Sequence, residues 1–587
     1  MLQELASDSS NTANLFVSAL VGSRPDLLRA FIAQALQLKA LDDLYADARQ
    51  ARTGNLAASI LSKLGVTLEI SGADLETIPA DGPVVVVANH PFGLLDAMML
   101  DSILQRRRKD SRLLANSLLC RIPELQHRCF PVDVLGGKTE VNVRTIRVAM
   151  TWLRGGGLLG IFPAGEVSHW NPQAGRILDP EWSDAAARIA RSAKAPIVPV
   201  YFSGSNSLMF QLAGLLHPGL RTAGLARELM NKRDRRFEVR AGSPIFPGEL
   251  DRDPKAATRY IRARVYFLAH RLPASTTGLR RHPPSQPLSK APNGLQAEIS
   301  RLQNPESLVV ENDCYAVLRS QGEAIPAVIE EIGRLRERTF RAAGEGTGKP
   351  SDIDRFDPYY QHLILWDKRR REIAGSYRFA WTEDVLALHG IPGLYTSTLF
   401  RYSPEFFKRI GPAVEVGRSF IVPDRQKEYA PLLLLWQGLA RSVAKRPLAP
   451  ILFGAVSVSG EYCAASNELL VRFLRWRQPS DDLHRLIAAR HPFRTRLTHF
   501  EEIRLLGEAL GGIEQLSNPI RNLESRGVPV LLRQYLKLGG RVIAFNVDAS
   551  FSNVLDGLVL VDLSKTNRRI LDKCMGPDNA ARFQPSI

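Results

Sequence analysis

Residues 84–96 read Val84-Val85-Val86-Val87-Ala88-Asn89-His90-Pro91-Phe92-Gly93-Leu94-Leu95-Asp96. Four consecutive valines make a buried strand by length and by β-branching. The strand runs into an Asn-His-Pro turn, from which an apolar, Met-rich helix departs toward Leu100. A histidine at the end of a buried strand, with Asp96 about a helical turn later, pairs a general base with a carboxylate that can orient it. That is the minimum equipment for removing a proton from an alcohol.

Two further segments repeat the pattern. Gly156-Gly157-Leu158-Leu159-Gly160-Ile161-Phe162 is a short apolar strand leading into Pro163-Ala164-Gly165-Glu166-Val167-Ser168. Pro196-Ile197-Val198-Pro199-Val200-Tyr201 is another, after a helix rich in alanine and basic residues. Strand, motif, helix, strand predicts an α/β domain with its site at strand ends. Taken in order, the three blocks resemble those of the glycerolipid acyltransferases, over roughly residues 60–250. The resemblance implies O-acyl transfer from an activated thioester, with His90 and Asp96 catalytic and no serine or cysteine nucleophile. It implies substrate-side roles for Asn89, Gly165, Glu166, Arg128 and Asn142, although Asn89 and Gly93 read more as shaping the turn than as reacting. Five residues separate His90 from Asp96 where the family motif has four, and Ala164, Glu166 and Val167 replace its Glu-Gly-Thr-Arg pattern. The arginine suited to a phosphate is therefore missing and a glutamate stands nearby. The expected acceptor lacks a glycerol phosphate and carries positive charge.

A chain of 587 residues predicts two or more domains. Its net charge of +17 calls for an anionic partner or surface. No zinc-finger spacing or RNA-binding aromatic motif accompanies that charge, so nucleic acid is not expected. An anionic membrane face and an acidic carrier protein fit better. Five scattered cysteines, Cys120, Cys129, Cys314, Cys463 and Cys574, suggest neither a disulfide framework nor a metal site. No signal peptide and no run of about eighteen apolar residues is seen, which predicts a cytoplasmic protein, peripheral on the inner membrane face. A helix is expected over residues 26–40, docked on the core or lying on the bilayer.

Pro, Ser and Gly dominate residues 273–295, which read as a linker. The expected domains are 1–272 and 306–587, with 273–305 between them. In the second half, a strand over Cys314–Leu318 precedes a helix from Ile325 to Arg341 that carries Arg334, Arg336 and Arg338. Gly344-Glu345-Gly346-Thr347-Gly348-Lys349-Pro350 looks briefly like a phosphate loop, but its first glycine is mis-spaced and proline replaces the Ser/Thr. It reads as a mobile loop. A hairpin (363–366 with 372–378), a strand over 413–422 with Glu415 and Arg418 near one another, and a helix after Pro431 come next. This order is similar to that of the GNAT-like acyltransferases. More closely, the half resembles the N-acyltransferases of ornithine-lipid synthesis and, more distantly, the acyl-homoserine-lactone synthases. The resemblance rests on the basic helix ending at Phe340, Asp354, Asp357, His362-Leu363, Glu415-Val416-Gly417-Arg418 and the segment 528–539.

That resemblance implies transfer from acyl carrier protein, through its phosphopantetheine thioester, to the α-amine of an amino acid. It implies Glu415 as catalytic and Arg338, Asp354, Asp357 and Arg418 as substrate-binding, with the arginine helix docking the carrier. A mutual Glu415–Arg418 salt bridge and a solvated Asp-rich loop are the competing structural readings. The coenzyme A loop of many GNAT enzymes is missing before the 432 helix, which favours the carrier as donor. Together the halves resemble the bifunctional ornithine-lipid synthases: the second domain makes a lyso-lipid from ornithine, and the first acylates its hydroxyl. No bound cofactor or metal is expected. The alternatives are another aminolipid such as one built on glycine, a lysophospholipid acyltransferase with a degenerate second domain, and a membrane-surface binding protein.

Overall fold

The computed structural model describes residues 37–50, 55–116, 120, 122–132, 139–216, 218–271, 286–446, 450–477, 482–495, 497, 499–524 and 526–584. The chain divides into two compact units. One spans 1–271 with 499–511, and the other spans 272–498 with 512–587. Both are mixed α/β.

The first unit is built on a seven-stranded sheet. Its strands are β1 (Thr67–Glu69), β2 (Val84–Ala88), β3 (Ser111–Asn116), β4 (Cys129–Val132), β5 (Leu158–Ile161), β6 (Ile197–Phe202) and β7 (Arg236–Ala241). Their spatial order is β1-β7-β6-β2-β5-β3-β4. All neighbours are parallel except β6 and β7. The valine strand β2 lies between β6 and β5 with every residue buried, as a strand covered on both faces must be. The helices of this unit include α1 (Leu94–Arg107), α2 (Leu208–Leu216), α3 (Pro218–Met230) and α4 (Pro254–Phe267).

The second unit holds an eight-stranded sheet. Its strands are β8 (Leu308–Glu311), β9 (Tyr315–Gln321), β10 (Gln361–Asp367), β11 (Glu372–Trp381), β12 (Ala413–Ile421), β13 (Ile451–Val458), β14 (Arg541–Asp548) and β15 (Val554–Asp562). They run in the order β8-β9-β10-β11-β12-β13-β15-β14. Every pair is antiparallel save β12 and β13, whose parallel ladder covers only Ala413↔Ile451, Val414↔Leu452 and Glu415↔Phe453. Helices α5 (Pro326–Ala342) and α6 (Tyr429–Val443) belong to this unit. Pro431 sits in the first turn of α6 rather than before it, where its missing N–H costs nothing.

Three expectations need adjustment. Most of the helix expected over 26–40 lies outside the described residues, and Leu38 onward belongs to a helix reaching Gln50. The end of the expected linker is folded: Leu295–Leu302 is a helix whose Glu298 accepts hydrogen bonds from the N–H groups of Ala327 (3.3 Å) and Val328 (2.9 Å) at the start of α5. The helix Phe500–Ala509 packs on α4 in the first unit, although the chain around it belongs to the second. There Arg176 reaches Glu502 at 3.0 Å, and His499 packs on Tyr266 with ring centroids 4.8 Å apart.

Candidate active sites

In the first unit the site grows from the end of β2. Gly93 adopts φ +86°, and a Cβ there would meet Leu225 and Val167 side chains at 2.8 and 3.1 Å, so only glycine suits this turn. Asp96 then serves two purposes. Its Oδ2 accepts the otherwise unpaired N–H groups of Phe92 (2.7 Å) and Gly93 (2.8 Å) at the start of α1, and it meets His90 Nδ1 at 2.9 Å. Helix cap and orienting carboxylate are the same group.

With two backbone N–H groups already donating to it, Oδ2 acts as an acceptor whether or not the carboxyl is ionised. Nδ1 of His90 therefore carries the proton, and Nε2 keeps the lone pair a base needs. Burial pushes the Asp96 carboxyl above its ordinary range, while His90 and the two backbone donors pull it back. The His90 ring stacks on Phe162 at 4.5 Å and its side chain stays 15% exposed. It is held, and it can be reached.

The third block is tied to this turn. Ser168 N–H donates to the His90 carbonyl at 2.9 Å. Buried Asp179 accepts from His90 N–H (3.2 Å), the Ser168 hydroxyl and Trp182 Nε1 (2.9 Å). Asp179 is a positioning group the sequence reading missed, because a single aspartate before proline carries no motif. Gly165 (φ +67°) and Glu166 lie exposed in the turn after β5.

Two other expected substrate residues are committed to the fold. Asn89 spends its amide on the backbone of Phe202, donating to O at 2.9 Å and accepting from N at 2.8 Å. This clamps β2 to β6 and holds the amide in the fold, with the residue 3% exposed. Arg128 gives its terminal nitrogens to Asp101 (2.8 Å), Ser111 Oγ (2.8 Å) and the Lys109 carbonyl (3.0 Å). Asn142 is half-buried near the start of the helix Thr139–Arg154. An apolar pocket runs along α1, lined by Leu56, Ile60, Leu94, Ala97, Met98 and Leu113 among others, with the Arg128–Asp101 pair at its edge. Leu94 and Ala97 put one end of it beside Asp96 in sequence.

In the second unit the expected residues converge, but in a different pairing. Fully buried Arg336 of α5 forks onto Asp357 at 3.0 and 2.8 Å. Buried Arg378 of β11 bonds Asp354 (2.6 Å) and Asp357 (2.8 Å) through one nitrogen. Burial opposes ionisation of Asp357, but Arg336 and Arg378 overcome it and hold the carboxyl well below the usual range. The Asp-rich loop is thus no solvated face, and Asp357 is saturated. His362 is pushed down to about 4 by burial and is neutral at pH 7.

The expected arginine docking face also comes apart. Arg336 points inward, Arg334 pairs with Glu331 of its own helix at 2.6 Å, and Arg338 pairs with Asp424 at 3.0 Å.

Glu415 does not pair with Arg418. Its Oε1 accepts Thr396 N–H (2.8 Å) and Oγ1 (2.5 Å), and its Oε2 accepts Tyr395 N–H (3.0 Å) and the Tyr360 hydroxyl. Four donors on a fully buried carboxylate make it a brace for the Tyr395–Thr396 turn, not a base open to an incoming amine. Burial nevertheless raises its carboxyl above the ordinary range.

Arg418, at φ +49°, turns elsewhere. Its guanidinium lies between the rings of Tyr395 (4.9 Å) and Phe551 (4.8 Å). Its carboxylate contacts are long, 3.5 Å to Asp352 and 3.9 Å to Asp354. Its Nε has no hydrogen-bond partner among the described residues. A buried guanidinium with spare donors is ready for a carboxylate.

Comparison with known proteins agrees with the two units. Residues 53–275 match the family described as Acyltransferase, and residues 335–437 match the Acetyltransferase (GNAT) domain. The chain is 32% identical over 263 residues to a glycine Nα-acyltransferase of Bacteroides thetaiotaomicron, covering 42% of this chain and 77% of the relative. It is 30% identical over 244 residues to an L-ornithine Nα-acyltransferase of Rhodobacter capsulatus, covering 39% and 83%. It is 27% identical over 214 residues to a lyso-glycine lipid O-acyltransferase of Phocaeicola vulgatus, covering 35% and 74%. The chain therefore belongs to the family of these Nα-acyltransferases, and it is an enzyme of the acyltransferase class with two acyltransferase domains in one polypeptide.

Proposed function

We propose that the protein builds an aminolipid in two transfers, with ornithine as the acceptor. The second unit moves a 3-hydroxyacyl group from acyl carrier protein to the α-amine, and the first acylates the hydroxyl so introduced. The observation that carries this reading is a pair of sites, one in each unit: a reachable His90–Asp96 base for a hydroxyl, and a buried guanidinium, Arg418, whose Nε has no partner among the described residues and which suits an amino acid's carboxylate.

In the ester step Nε2 of His90 takes the hydroxyl proton as the oxygen attacks the thioester carbonyl. The tetrahedral intermediate collapses with loss of thiolate, and His90 returns the proton to the sulfur. Glu166, in the turn tied to His90, suits a cationic headgroup.

Asp352, Asp354 and Glu345 act on Arg418, with Asp556 beside them as a carboxyl that burial holds well above its ordinary range. Such a setting favours an acceptor with a second ammonium, which is the support for ornithine. Relatives named for glycine support the smaller acceptor as a second reading. Competing ornithine against glycine for a 3-hydroxyacyl thioester, with the amides separated by mass, tests the choice: ornithine amide in excess is expected, and glycine amide in excess reverses it. Before α6 the chain reads Pro423-Asp424-Arg425-Gln426-Lys427-Glu428, without the glycines that let a backbone wrap a pyrophosphate. This supports a carrier-borne donor. Faster transfer from acyl-CoA than from acyl carrier protein would contradict it.

The product is a lipid, and no helix among the described residues is long and apolar enough to cross a membrane. Helix α2 supports peripheral attachment. Leu208, Met209, Leu212 and Leu215 are 75, 61, 53 and 56% exposed, an apolar stripe on a chain of charge +17, which suits an anionic bilayer. Burying one leucine contributes about 1.5–3 kcal/mol. Leu208→Glu with Leu212→Glu is therefore expected to weaken binding to anionic vesicles by at least roughly 10²-fold in a flotation assay, leaving transfer to soluble acceptors unchanged.

A further inference from the structure

Glu415 and Asp357 each accept four hydrogen bonds, so neither is free to take an acceptor's proton. Another carboxylate stands on the glycine-rich loop expected to be mobile. It is anchored at many points. Buried Glu337 of α5 accepts from Thr347 N–H (3.1 Å) and Oγ1 (2.8 Å), Gly348 N–H (2.8 Å) and Arg341 Nε (2.7 Å). Glu345 N–H donates to the Phe340 carbonyl at 2.8 Å. Ser459 Oγ donates to Ala343 O (2.7 Å) and Ser552 Oγ to Gly346 O (3.0 Å). Gly344 and Gly346 sit at φ +75° and +105°, conformations that favour glycine. These ties fix the one side chain between the two glycines.

That side chain is Glu345. It receives a hydrogen bond from Ser457 Oγ of β13 at 2.9 Å. Ser457 lies past the point where the β12–β13 ladder ends, and its cross-strand neighbour on β15 is Asp556. Asp556 is 5% exposed, and its Oδ2 has no hydrogen-bond partner among the described residues. The charged groups facing Glu345 are Arg418 from β12, Glu461 after β13, Arg526 and Asp556, with Asp548 of β14 beside Asp556. An anchored carboxylate, a buried carboxyl with a spare oxygen and the spare donors of Arg418 thus meet where two strands part. Together they match the ammonium and carboxylate of an α-amino acid.

We infer that Glu345 is the base of the amide-forming site, taking the proton of the acceptor's α-ammonium while Asp556 accepts a hydrogen bond from the same nitrogen and Arg418 holds the carboxylate. This deepens the proposed function and rests on it. The ammonium gives one proton to the Glu345 carboxylate. The neutral nitrogen attacks the thioester carbonyl, the C–N bond forms and the C–S bond breaks. The thiolate leaves and takes the second nitrogen proton, so that amide, thiol and protonated Glu345 result. Burial and Glu461 raise the Glu345 carboxyl to about 7, against the pull of Ser457, Arg418 and Arg526. A base poised near the working pH serves this purpose.

The test compares the full-length wild type with Glu345→Gln and Glu345→Asp, using a 3-hydroxyacyl thioester and two nucleophiles: ornithine, and hydroxylamine, which is already neutral at pH 7. For ornithine, the wild-type kcat/KM is expected to rise with pH through about 7. Glu345→Gln should lose that limb and fall by roughly 10²-fold or more, whereas the loss with hydroxylamine should be only a few-fold. Glu345→Asp, which keeps a carboxylate, should recover part of the rate and the pH limb. Equal losses with both nucleophiles, or no loss with either, would overturn the inference. A wild-type protein that acylates neither amine would instead overturn the amide-forming reading, and this inference with it.

Discussion

Replacing His90 by alanine is expected to cut ester formation by roughly 10²–10⁴-fold, the usual loss for a single general base, and to leave amide formation intact. The division comes from where the groups sit. His90, Asp96 and the tether through Asp179 all belong to the first unit, whereas Arg418, Glu345 and Asp556 belong to the second. The expected phenotype is accumulated lyso-lipid, read by mass spectrometry. His90→Ala leaves the Asp96 contacts to Phe92 and Gly93 in place, so the start of α1 should survive. Asp96→Ala is the contrasting variant. It removes the one oxygen that accepts from Phe92 N–H, Gly93 N–H and His90 Nδ1, so it should lose both the helix cap and the orientation of His90, lowering stability as well as rate. A His90→Ala protein that makes no lyso-lipid would contradict the separation of the two chemistries.

Asp357→Ala should destabilise the second unit by about 3–5 kcal/mol, the cost of leaving buried charges without their partner. Asp357 is wholly buried, accepts three hydrogen bonds from Arg336 and Arg378, and takes a fourth from Asp354 N–H at 2.9 Å. Its removal strips Arg336 of its two-pronged carboxylate and leaves Arg378 with Asp354 alone, and neither guanidinium can shed its charge. The same carboxylate predicts an acid limit. Because its folded-state pKa is depressed, its contribution is fully present above the unfolded value near 3.9 and is lost as pH falls below that. Denaturant titrations at pH 7 and about 3 should show the wild type losing stability and the variant losing less. A variant as stable as wild type would mean that the Arg336–Asp357–Arg378 cluster does not hold the unit together.

The fold was legible where local pattern and tertiary demand coincide. The valine strand β2 reads as buried because β-branched residues with no polar alternation fit a strand covered on both faces. The histidine after it reads as a base because Asp96 comes at a helical spacing. Other parts were hidden for identifiable reasons. Glu415 and Arg418 share a short stretch of sequence, but the register shifts along β12 and Arg418 takes φ +49°. Proximity in sequence therefore does not become a contact. Asp354 and Asp357 look like a solvated loop because their partners, Arg336 and Arg378, come from other elements. Glu345 was invisible because glycine-rich sequence reads as mobile, and only the bonds to Glu337, Ser459 and Ser552 show otherwise. The helix Phe500–Ala509 could not be assigned to the first unit from sequence, since nothing in its amphipathic pattern names the surface it packs against.

The two-transfer account is tested most directly by expressing the full-length chain in a bacterial host that makes no aminolipid and resolving its total lipids by tandem mass spectrometry, with His90→Ala and Glu345→Gln alongside. The expected result is a phosphate-free lipid carrying one amide-linked 3-hydroxyacyl chain, esterified on its hydroxyl by a second chain, with ornithine as headgroup. His90→Ala should stop at the mono-acyl amide, and Glu345→Gln should yield neither product in quantity. A host whose only change is in its phospholipid acyl chains would contradict the account.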